Sequence, residues 1–179
     1  MLDKIDITQI VKGHFSTFRD YGTGKVSYSD YILFIAAPLA LSLLGIWKGF
    51  AFGAMAVNGL LTAFSIFAGL LFNLLLMVLS FLQSTQGSAT DRTLIIRKNL
   101  LREITSNLSF AILVSVLIVI IAVVSLSMLE DDKRPIPLGA TFILLFGALN
   151  FALTLFMLLK RMYALMQNEF DRHKTNRAA

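Results

Sequence analysis

The residues of this chain best placed to do chemistry sit in its longest uncharged run. At about 100° per residue, Asn58, Thr62, Ser65, Asn73 and Ser80 fall within one helical arc of roughly 80°, and Gly69 lies inside the same arc. Carboxamides and hydroxyls carry no charge, so the chemistry they offer is hydrogen bonding. Two readings follow. The stripe packs against neighbouring helices, with Gly69 admitting close approach, or it faces a water-filled path at the centre of an oligomer. The last uncharged run repeats the pattern on a smaller scale, with Gly147, Asn150 and Thr154 on one face and Arg161 continuing it. On the second reading the pore-lining set is Asn58, Thr62, Ser65, Gly69, Asn73, Ser80, Asn150 and Thr154.

A second constellation is cationic. Arg92, Arg97, Lys98 and Arg102 cluster in the connection after the polar run, and Arg161 stands on the same expected side of the membrane. Repeated around an axis, these side chains form a basic ring suited to the phosphates of an anionic ligand such as a nucleotide or oligonucleotide. No glycine-rich phosphate loop, aromatic interleaving or nucleic-acid-binding signature accompanies them, so the ligand's identity is not specified.

Enzyme chemistry finds no footing. The chain has no Cys, and its two His, His14 and His173, lie in opposite terminal segments, so no catalytic set, metal site or cofactor is expected. Glu103 and Glu169 lack a partner at informative spacing. The apolar runs contain no Asp, Glu, Lys, Arg or His, which argues against proton-coupled carriers and voltage sensors.

The elements that must position these groups follow from composition. The chain has 179 residues, 56% of them hydrophobic and 15% charged, with a mean hydropathy of +0.74. That excess rules out an ordinary water-soluble globule. Uncharged runs cover 31–47, 49–90, 104–129 and 135–159, and a span needs about 20 apolar residues. The expectation is an all-α membrane protein with four transmembrane helices. Of 16 Lys and Arg, 13 fall on one side of that topology, which places both termini in the cytoplasm. The same asymmetry accounts for the net charge of +5 without a nucleic-acid partner. Residues 1–29 then form a cytoplasmic or interfacial segment, where Ile7, Ile10, Val11, Phe15 and Phe18 recur at helical spacing as an amphipathic helix. Residues 30–160 form the transmembrane domain with its basic connection at 84–107, and 161–179 a cytoplasmic helix and tail. Pro38 cannot donate to the carbonyl of Phe34, so the first span should kink there.

The segment 14–41, HFSTFRDYGTGKVSYSDYILFIAAPLAL, together with the four expected spans and minimal soluble mass, resembles small multi-pass membrane effectors of bacterial anti-phage defence systems, of the Hailong or Kiwa type. The resemblance implies an inner-membrane oligomer that disrupts membrane potential when a partner or oligonucleotide triggers it. The expected function is therefore an ion-conducting membrane effector, a homotetramer embedded in membrane lipid and gated by an anionic ligand or a cytoplasmic defence protein. The alternatives are a non-conducting anchor or assembly subunit that recruits a cytoplasmic partner, and a holin-like pore.

Overall fold

A computed structural model describes residues 7–18, 31–84, 92–129 and 134–178, with side chains at 7–18, 31–82, 98–129 and 134–167. Five helices account for the secondary structure of these residues: α1 (Thr8–Ser16), α2 (Ile32–Trp47), α3 (Ala54–Ser84), α4 (Arg92–Ser127) and α5 (Leu138–Ala178). No strand occurs among them.

The longest interface has a simple sequence cause. Along α3, Ala54, Val57, Phe64, Leu71 and Val78 are buried and Leu61, Ala68, Leu75 and Leu82 half-buried. These positions alternate by three and four, which lays an apolar seam down one side of a helix. Its partner α4 buries Ile104, Leu108, Ala111, Ser115, Ile118 and Ala122 at the same alternation, between α3 and α5. The small residues Ala111, Ser115 and Ala122 let the backbones approach, as membrane helix interfaces require. α4 also meets α5, where a Cβ added to Gly147 would stand 3.2 Å from Ile118 of that same set. The helices form an open row in the order α3, α4, α5, α2, with α1 laid across α4. Among the described residues the row leaves α3 at an edge, packed along α4 with its Phe64 and Phe67 rings reaching Phe151 of α5.

Among the described residues three helices are long and apolar enough to cross a membrane: Ala54–Leu82, Lys98–Ser127 and Leu138–Gln167. The expectation of four spans is corrected here. The first apolar run does form a helix, but Ile32–Trp47 rises only about 24 Å, short of a hydrocarbon core of about 30 Å. A π-helical stretch, Ile32–Ala36, lies just before Pro38. The close of α2 is a Schellman motif: Gly49 takes φ +77°, its N–H bonds Ile46 O at 2.8 Å, and the Phe50 N–H bonds Gly45 O at 2.9 Å.

The segment from 31 to 52 nonetheless carries the chain from one end of the bundle to the other. Tyr31 packs on Phe18, while the Phe52 carbonyl accepts from the Ile136 N–H at 2.9 Å beside the start of α5. The basic connection and third apolar run are one helix of 36 residues, and the fourth run and carboxy-terminal segment one of 41.

Candidate functional site

The α3 stripe lies on the open edge of the row. Asn58, Thr62, Ser65, Gly69, Asn73 and Ser80 are all exposed, about 120° around the helix from the seam on α4. A Cβ on Gly69 would meet nothing within 4 Å, so no described residue packs there. The six positions do not carry equal demands. Thr62, Ser65 and Ser80 donate their hydroxyls back to the carbonyls of Asn58, Leu61 and Leu76 at 2.9, 2.7 and 3.0 Å. Asn58 and Asn73 have no such partner among the described residues, and each side-chain amide holds two donors and an acceptor. In hydrocarbon those groups are costly.

Asn150 and Thr154 are placed differently from that stripe. Both are buried, and Asn150 turns toward α2. The Asn150 Nδ2 donates to the Phe34 carbonyl at 2.8 Å, and the Thr154 hydroxyl bonds Asn150 O at 2.9 Å. Within one chain, then, the eight residues of the expected pore set do not share a surface. Asn150 mends the helix that Pro38 interrupts, and it leaves its own Oδ1 buried without a bond.

The cationic set also divides. Lys98 and Arg102 are exposed on α4, and the helix backbone carries Arg92 and Arg97 on the preceding turns, their side chains lying outside the described residues. Arg161 instead turns inward. Its Nη1 pairs with Glu103 at 2.9 Å and its Nη2 donates to the Thr17 carbonyl at 3.0 Å. Glu103 thus gains across the bundle the partner that its sequence neighbourhood does not supply. The contact also brings both terminal segments to the same end of the molecule.

A buried polar cluster beside that ion pair escapes sequence reasoning altogether. His14 of α1 is 1% exposed, its Nδ1 lies 2.8 Å from Asn107 Oδ1, and its ring stacks on Phe110 with centroids 3.9 Å apart. Thr17 Oγ1 donates to His14 O at 2.6 Å and lies 3.2 Å from the same Asn107 oxygen. Asn107 Oδ1 thus accepts from both groups, and the Nδ2 of the same amide is buried without a partner. Phe18, Phe34 and Tyr31 extend the aromatic packing to α2. Desolvation pushes the imidazole pKa down from 6.5 to about 4; the positive charge of Arg161 adds to the fall, and the bond to Asn107 opposes it. The arrangement is a lock that holds α1 on α4 and α5. Its sequence signal was slight: a lone Asn at the head of an apolar run and a His among aromatics.

Two cavities flank α1. One of about 500 Å³ is bounded by Val11, Phe15, Phe18, Tyr31 and Ile35, with Lys12 and Ser16. The other, about 410 Å³, runs between Ser16 and Thr17 on one side and Asn99, Arg102, Glu103 and Ser106 on the other. No group of His, Asp or Glu suited to holding a metal ion occurs among the described residues. Comparison with known proteins finds no matching family model, no similar curated protein and no similar solved structure.

Proposed function

We propose that this chain is a homo-oligomeric, ion-conducting membrane protein in which copies of α3 surround a neutral aqueous path. The observation that carries the reading is the exposure of the whole stripe from Asn58 to Ser80 on a membrane-length helix at the edge of the row. A lone subunit would present the unpaired amides of Asn58 and Asn73 to lipid. Placing α3 at an oligomer axis supplies water or partner amides instead. A tetramer is the assembly we infer. Lys98 and Arg102, with Arg92 and Arg97 on the same helix, then ring one mouth and attract an anionic activator, a nucleotide or oligonucleotide, or an acidic surface of a cytoplasmic partner. The resemblance of 14–41 to anti-phage membrane effectors makes depolarisation of the inner membrane the biological output of this reading.

The test is conductance. Full-length protein in planar bilayers or liposomes should pass ions, and leucine at Asn58 and Asn73 together should abolish the current while oligomers still form. Oligomers without current would favour an anchoring role, in which the stripe only joins subunits.

A further inference from the structure

The two cavities beside α1 differ in character and meet at one residue. The larger is walled by Val11, Phe15, Phe18, Tyr31 and Ile35, with Lys12 at its edge, between α1 and the start of α2. The smaller is polar, walled by Thr17, Asn99, Arg102, Glu103 and Ser106 between α1 and α4. Ser16 lines both. They lie where charged sequence gives way to apolar sequence, since the uncharged runs begin at Tyr31 and Ile104. That boundary is the depth at which a bilayer changes from acyl chain to headgroup.

Charge decides what fits. Glu103, the one carboxylate among the lining residues, is already neutralised by Arg161 at 2.9 Å. Arg102 and Lys12 are exposed and make no ion pair among the described residues. The paired cavities therefore offer an apolar slot, hydroxyl and amide donors, and two cations without a counter-charge.

We propose that an anionic phospholipid occupies this site, one acyl chain against Val11, Phe15 and Ile35 and its phosphate held near Ser16 between Lys12 and Arg102. The lipid would contact α1, α2 and α4 at once and so splint the docking of α1. The assignment does not depend on ion conduction.

Full-length protein in a neutral detergent provides the test, read by thermal unfolding through Trp47 fluorescence and by native mass spectrometry. Titration with phosphatidylglycerol should raise the unfolding midpoint and leave bound lipid on the subunit. Phosphatidylcholine of equal chain length should bind about tenfold more weakly, and Lys12→Gln with Arg102→Gln should remove that preference. Both positions are exposed, so the fold should tolerate the changes. Ile35→Trp, which fills the apolar slot, should weaken both lipids alike. Equal affinity for the two lipids, or an unchanged preference in the double variant, would overturn the proposal. So would competition by inorganic phosphate or a nucleotide at concentrations comparable to the lipid, which would reveal a soluble-anion site.

Discussion

Asn150 Nδ2 stands 2.8 Å from the carbonyl oxygen of Phe34, the acceptor that Pro38, four residues further on, leaves without its helical donor. The side chain of one helix thus repairs the backbone of another across 116 residues of sequence. Because Phe34 also packs on Phe18 and His14, the repaired turn ties α2 to α1 as well as to α5.

This relationship predicts a non-additive pair. Asn150→Leu should destabilise the fold by about 1–3 kcal/mol, because a buried carbonyl loses its donor. In Pro38→Ala the new N–H can close on Phe34 O, so adding Asn150→Leu to that background should cost about half as much. Thermal or urea unfolding of the four proteins measures the coupling, and equal costs in both backgrounds would deny the repair.

The ion pair of Glu103 and Arg161 is mostly shielded from solvent, with side chains 23% and 13% exposed. Removing one partner should cost about 1–3 kcal/mol, more than a surface pair is worth. Glu103→Gln should also loosen α1, since Arg161 holds the Thr17 carbonyl. Faster proteolytic cleavage within residues 8–18, with α3 to α5 unchanged, is the expected readout.

His14 makes the docking of α1 sensitive to acid. Its folded pKa of about 4 lies below its ordinary 6.5, so the undocked state binds the proton more readily. The stabilisation from keeping His14 neutral is complete above about pH 6.5 and is lost as pH falls toward 4, with an upper bound of about 3 kcal/mol. Hydrogen exchange in α1 should therefore rise steeply over that window. His14→Phe, which cannot titrate, should flatten the rise, and an identical profile in the variant would assign it to other groups.

Within the α3 stripe the side chains should not be equivalent. Thr62→Val and Ser65→Ala remove hydroxyls that already bond their own helix, so conductance should change by no more than about twofold. Asn58→Leu and Asn73→Leu remove amides that need an outside partner, and each should lower it by about tenfold or more. Single-channel recordings distinguish the two classes.

The helices, and the stripe on one face of α3, were legible in the sequence because both depend on local order: apolar run length, the 3.6-residue period and the absence of charge in the runs. The Asn58-to-Ser80 alignment needed nothing beyond the helical angle. Tertiary structure decided which way each stripe faces. Asn58 and Asn150 look alike as polar residues in apolar runs, yet one lies on an exposed face and the other against Phe34, because α2 covers the Asn150 face of α5 and no described residue covers the stripe of α3. The end of α2 was likewise set by a Gly49 cap inside an uncharged stretch whose periodicity gave no sign of it. The His14–Asn107 and Glu103–Arg161 contacts join residues 93 and 58 positions apart, a separation at which periodicity and spacing carry no information and only the packing of α1, α4 and α5 brings the groups together.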